Sequence, residues 1–171
     1  MSTHHVVAVV GNPKPASRTA VVAELVAREL SALTGTASEP DVIELAEHGP
    51  ALAGWGDPVV AVLKARVLAA PALVVATPTY KATYTGLLKL FLDQFDAGEL
   101  AGVVTVPVMT GAASAHSLAI DVHLVPVLVE IGASCPVRGP FLAGPEVDDP
   151  VPAVEAWAER SRPILRRALA P

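Results

Sequence analysis

Cysteine is nearly absent: Cys135 is the single one among 171 residues. That excludes a disulfide framework, a multi-cysteine zinc site and a C-x-x-C redox pair. Aromatic residues make up only 4%, so the core must be aliphatic, built mostly from Val, Ala and Leu. Charged residues are also few, at 17%, with a net charge of −5. There is no basic excess to neutralise phosphates along a nucleic acid. With 52% hydrophobic residues the chain is far too apolar to stay disordered. Long hydrophobic runs are missing too. The uncharged stretches Val67–Tyr80 and Leu100–His116 contain prolines and polar residues. Both fall short of the ~20 mostly apolar residues of a membrane-spanning helix. Residues Met1–His5 place no Lys or Arg ahead of an apolar run, unlike a secretory signal. The expectation is one domain over residues 1–171, cytoplasmic, with no nucleic-acid or membrane partner.

What is present alternates between two patterns. Val6–Val10 is an unbroken β-branched run ending at Gly11, which suits a parallel strand buried on both faces. Ser17 is placed to cap a helix over Thr19–Leu33, where Val22, Leu25, Val26, Leu30 and Leu33 recur at helical spacing, and Gly35 stops it. A strand at Asp41–Leu45, a loop at Glu47–Asp57 and a helix at Pro58–Ala70 follow. Next come a strand at Ala72–Ala76, a helix at Gly86–Phe95 and a strand at Val103–Met109 weakened by Pro107. The spacing then predicts a long helix over Ala115–Ile131 kinked at Pro126, and a short fifth strand at Ser134–Val137. A loop over Gly139–Pro152 and a C-terminal helix over Ala153–Leu169 complete the chain.

This alternation predicts an α/β fold: a flavodoxin-like, doubly wound, five-stranded parallel sheet of order 2-1-3-4-5. In such sheets a ligand lies beyond the carboxyl ends of the strands, at the switch point. Three loops meet there: Gly11–Arg18, Thr77–Thr85 and Thr110–His116.

The first loop leads from a buried strand into a helix N-terminus, where unpaired N–H groups and the dipole attract anions. It is neither a G-x-G-x-x-G turn nor a G-K-[ST] loop. Ser17 and Thr19 offer hydroxyls and Arg18 a forked cation, so it reads either as a monophosphate cup or as a plain helix cap with a solvated arginine. The second loop holds both tyrosines of the chain, Tyr80 and Tyr84. They could cover a flat ring or simply pack across the sheet end. In the third loop, Thr110–Ser114 carries no bulky side chain, which lets a planar ligand edge approach the backbone. His116 and His123 read as local hydrogen-bonding residues rather than catalysts.

Three separated motifs, in order, resemble the NAD(P)H-dependent FMN reductase family. The run Ala76-Thr77-Pro78-Thr79-Tyr80-Lys81-Ala82 leads to Gly86-Leu87-Leu88-Lys89 and Leu92-Asp93. The Gly11–Thr19 segment is similar to the family's phosphate loop, with Asn12 where the family has serine. Thr110-Gly111, His116 and Leu118-Ala119-Ile120-Asp121 resemble the third loop and helix of the reductases that supply reduced flavin to alkanesulfonate-type monooxygenases. Two departures stand out: Ala112-Ala113 replaces a typical Gly-Ser, and Val122 follows Asp121 where well-known members carry a tyrosine in a helix bulge. The resemblance spans about residues 6–135.

The resemblance implies hydride transfer from NAD(P)H to FMN, with a flavin-dependent monooxygenase as a possible partner. The chemistry is then the cofactor's, and binding roles are expected rather than a catalytic residue. Asn12, Ser17, Arg18 and Thr19 would hold the phosphate. Pro78, Thr79, Tyr80 and Ala82, with Thr110, Gly111 and Ala113, would border the ring. No nucleophile elbow, metal spacing or carboxylate pair competes with this reading. Two alternatives remain open: an FMN-retaining reductase of quinones, azo dyes or metal oxyanions, and a flavodoxin-like electron carrier. Helices 86–95 and 115–131 are apolar on most sides, which predicts burial against a second subunit in a homo-oligomer, dimer or tetramer.

Overall fold

The computed structural model describes residues 5–35 and 38–170. Strand β1 (Val7–Val10) runs into helix α1 (Arg18–Thr34), followed by β2 (Asp41–Glu44) and the short helix α2 (Gly49–Leu52). Helix α3 (Pro58–Leu68), β3 (Ala72–Pro78), α4 (Gly86–Leu92) and β4 (Val104–Gly111) continue the alternation. Helix α5 (Val125–Glu130), β5 (Phe141–Ala143) and α6 (Val151–Ala168) complete it. The sheet is parallel throughout, in the order β2-β1-β3-β4-β5, as the alternation predicts.

The unalternating apolar strands are explained by two cores, one on each face. Val7, Val9, Leu73 and Val75 point toward Leu63, Leu88, Phe91, Ile120 and Leu128. Val6, Ala8, Val10, Val74 and Val106 point toward Val22, Val26, Leu30, Trp157 and Leu165. Successive strand residues thus serve opposite layers, α1 and α6 on one side and α3, α4 and α5 on the other. Helix α1 begins where Ser17 Oγ accepts the Ala20 N–H (3.2 Å) and ends at Gly35, left-handed at φ 69°, whose N–H returns to the Ser31 carbonyl.

Three expectations need correction. The fifth strand is Phe141–Ala143, not Ser134–Val137. Ser134 makes only an isolated bridge to Val104, and the ladder resumes at Met109–Phe141. Pro107 is the cause. On this edge of β4 the Thr105 N–H reaches the Ser134 carbonyl (2.7 Å) and the Met109 N–H reaches the Pro140 carbonyl (3.2 Å). The position between them has no N–H to give, so the neighbouring chain leaves the ladder around it. The predicted helix over 115–131 is likewise broken up. A 3₁₀ turn (Ser114–His116) and a π-helical stretch (Ile120–Leu124) precede α5. The wide π turn ends just before Pro126, which sits in the first turn of α5, where its missing N–H is tolerated. Helix α4 also stops at Leu92 rather than Phe95.

Among the described residues, no helix is long and apolar enough to cross a membrane.

Candidate functional site

The loops after β1, β3, β4 and β5 enclose a cleft of about 780 Å³ at the carboxyl ends of the strands. That volume lies within the range of small-molecule clefts, ~300–1,000 Å³.

The first loop is set by close contacts. Gly11 donates its N–H to the Ala76 carbonyl (2.7 Å), and a Cβ at Gly11 would lie 2.5 Å from Leu88 Cβ. Bare backbone is therefore required where β1 passes α4. Thr85, buried at the N-cap of α4, ties this loop to the second. Its hydroxyl donates to the Gly11 carbonyl (2.5 Å) and accepts the Leu88 N–H (3.1 Å). Beyond Gly11, Asn12 Oδ1 accepts the Lys14 N–H (3.0 Å), and Ala16, left-handed at φ 49°, donates its N–H to Glu44 Oε2 (2.9 Å). The chain thus curls into a cup over the first turn of α1. The Arg18 and Thr19 N–H groups of that turn have no intrahelical acceptor, as at every helix start.

Side chains tie the cup to β4. Asn12 Nδ2 donates to Thr19 Oγ1 (3.1 Å), and Thr19 Oγ1 shares a buried hydrogen bond with Thr110 Oγ1 (2.8 Å). Arg18 reaches across the cleft mouth to Asp148 (2.5 Å). On the other side, Thr79 donates its N–H to the Thr110 carbonyl (2.7 Å), while its Oγ1 is buried with no hydrogen-bond partner among the described residues. Such an orphaned hydroxyl is costly unless a ligand completes it. Next to it, a Cβ at Gly111 would stand 2.9 Å from the tip of the Phe141 ring and 3.4 Å from Thr79 Oγ1, so a side chain here would have to push that ring aside.

Of the eleven residues expected from sequence, Asn12, Ser17, Arg18, Thr19, Pro78, Thr79, Tyr80, Thr110 and Gly111 line this cleft. Ala82 and Ala113 do not. Ala112 takes the place expected of Ala113. Ala82 is turned away by a tight bend in which Tyr80 and Thr83 exchange backbone hydrogen bonds (2.9 and 3.2 Å). Both central residues of that bend, Lys81 (φ 53°) and Ala82 (φ 65°), are left-handed. The bend leaves Tyr80 half exposed at the cleft, whereas Tyr84 packs against the core. Since the left-handed conformation costs a non-glycine residue ~1–2 kcal/mol, Ala82→Gly should stabilise the protein and raise Tm by about 2–4 °C. Thermal melts of the two proteins check this, and an unchanged or lower Tm contradicts the strain.

Sequence reasoning missed a fourth wall, Gly144, Val147 and Asp148. It follows from the strand-end rule once β5 is placed at 141–143, because these residues are the next turn of the chain. Cys135, by contrast, has no role in the cleft. Burial pushes its thiol up to about 11, so it is protonated and unreactive at neutral pH. His116 and His123 are both exposed and outside the cleft lining. Among the described residues no group of His, Cys, Asp or Glu is arranged to hold a metal ion.

The cleft therefore pairs an anion cup with a bare, narrow backbone platform carrying an unpaired hydroxyl. That donor set fits a planar ring bearing a phosphorylated tail. Comparison with known proteins agrees. Residues 4–148 match the family profile described as NADPH-dependent FMN reductase. The chain is 32% identical over 144 residues to an FMN reductase (NADPH) of Escherichia coli (strain K12), covering 84% of this chain and 75% of that protein. Among solved structures, it resembles the apo form of an NADH:FMN oxidoreductase with a TM-score of 0.75 and 32% identity, over 98% of this chain and 87% of that one. An oxidoreductase from Corynebacterium diphtheriae superposes with a TM-score of 0.79 and 28% identity, over 98% of both chains.

Proposed function

The chain belongs to the NADPH-dependent FMN reductase family, and from that premise we propose that it holds FMN as one flavin-binding domain, with the phosphate in the α1 cup and the ring along the tips of β3 and β4. It is an oxidoreductase that uses NAD(P)H and FMN. FMN supplies the redox chemistry, accepting a hydride from the nicotinamide. The residues of the chain bind and orient. Ser17, Arg18 and Thr19, with Asn12 behind them, hold the phosphate; Arg18 and the first-turn N–H groups offset its charge. Thr79 Oγ1, unpaired among the described residues, would donate to the ring edge, and Pro78, Tyr80, Thr110 and Gly111 would frame it. Ala82 and Ala113 contribute only the shape of their turns. Hydride transfer needs aligned rings more than an acid or base, and the lining offers no paired carboxylates for proton transfer.

The observation that carries this reading is the buried, unpartnered Thr79 hydroxyl opposite the α1 cup in the same cleft. The test is oxidation of NADPH and NADH by the purified protein with and without added FMN. Turnover that rises with free FMN supports a reductase that releases its flavin. Turnover with quinones by a protein that stays yellow through gel filtration would instead favour a retained cofactor. A flavin-dependent monooxygenase is the natural consumer of reduced flavin released into solution.

We also propose a homo-oligomer built through α4 and the π-helical segment with α5. Leu90, Val122 and Val129 are exposed there, as is Leu118 just ahead of the π stretch, though core residues flank them in the sequence. Val122→Asp should lower the mass measured by light scattering toward that of a monomer. An unchanged mass, or a monomeric wild type, contradicts the interface.

A further inference from the structure

The phosphate loop is bordered by two carboxylates that do different work. Glu44 Oε2 accepts the N–H of left-handed Ala16 and so holds the curl of the loop. The Asp148 carboxylate does nothing comparable for its own segment. That turn is held without it: the Asp148 and Asp149 N–H groups bond the Pro145 carbonyl (3.0 and 3.1 Å), and Glu146 Oε2 accepts the Ala143 N–H (3.2 Å). Among the described residues the one partner of the Asp148 side chain is Arg18, which the cup would use for an anion. Both side chains are 67% exposed. Both also line the cleft, so the pair closes its mouth between the β1 and β5 loops.

We propose that Asp148 is a specificity-determining residue that makes FMN exchangeable, by competing with the flavin phosphate for Arg18. The inference rests on the reading that the phosphate lies in the α1 cup. An exposed ion pair is weak and opens readily, so Arg18 is not locked. An incoming phosphate must nevertheless displace a carboxylate, and Asp148 is then left unpaired beside a dianion. Both effects oppose binding and hasten release, and neither acts on a flavin that lacks the phosphate. Asp148 thus narrows the preference for FMN over riboflavin while keeping the cleft open to turnover of its ligand. An enzyme that delivers reduced flavin to another protein needs that property; one that keeps its flavin does not.

The test is titration of wild type, Asp148→Asn, Asp148→Glu and Arg18→Ala with FMN and with riboflavin, followed by flavin fluorescence, plus stopped-flow release of FMN. Asp148→Asn is expected to tighten FMN and slow its release about 5- to 10-fold, with riboflavin unchanged. Asp148→Glu, which keeps the competing charge, is expected to keep the wild-type ratio. An Asp148→Asn protein that binds FMN no more tightly, or shifts both flavins alike, overturns the role of Asp148. If Arg18→Ala still loses FMN selectively, the phosphate site survives that failure. If Arg18→Ala weakens both flavins equally, the site and the inference fall together.

Discussion

Gly139→Ala is expected to cost the protein a large part of its stability. A Cβ at this position would lie 1.6 Å from the Pro107 carbonyl oxygen and 2.7 Å from its carbon. These are backbone atoms of a central strand, so no rotamer change makes room. The crowding follows from the detour around Pro107, which brings residue 139 flat against β4 between the anchors at Ser134 and Pro140. Overpacking of a core usually costs ~1–3 kcal/mol, and a clash with strand backbone belongs above that range, at about 4 kcal/mol or more. Native stability is typically only ~5–15 kcal/mol. Urea titration followed by circular dichroism measures the loss. Gly86→Ala is the control: among the described residues beyond its own helix turn nothing lies within 4 Å of its Cβ, and the residue is helical, so it should be neutral or stabilising. A Gly139→Ala protein as stable as that control contradicts the packing of β5 on β4.

The second large effect concerns binding. Arg18→Ala should weaken FMN by about 10- to 100-fold, the equivalent of ~1.5–3 kcal/mol for a hydrogen bond to a charged group. Riboflavin, which has the ring without the phosphate, should be nearly unaffected. The contrast isolates the charge from the ring platform, because the Arg18 guanidinium bonds Asp148 at the cleft mouth rather than the residues of that platform. Parallel fluorescence titrations give both constants. Equal losses would mean that Arg18 shapes the cleft rather than holding the phosphate.

Much of this cleft was legible from local signals. The β-branched run ending at Gly11, the Ser17 cap and the Gly35 stop lie within a few residues of the features they govern, and the structure puts β1 and α1 there. The sheet order followed from the alternation alone. What escaped depends on contacts distant in sequence. Strand β5 is displaced because Pro107, some thirty residues earlier, cannot donate to its neighbour. A β5 expected at 134–137 leaves the turn after 143 looking like plain loop, although Gly144, Val147 and Asp148 line the cleft. The exchange of Ala112 for Ala113 and the turning away of Ala82 come from backbone angles that residue type does not specify; Lys81-Ala82 is an unusual choice for two left-handed positions. The π-helical turn before Pro126 carries no compositional mark beyond the proline itself.

The most direct measurement is a crystal structure of the protein grown with saturating FMN. It should show the phosphate at the start of α1, within hydrogen-bond reach of Ser17, Thr19 and Arg18, with the Arg18–Asp148 pair opened and the ring edge bonded to Thr79 Oγ1. FMN bound elsewhere, or bound here with its phosphate turned away from α1, would contradict the account.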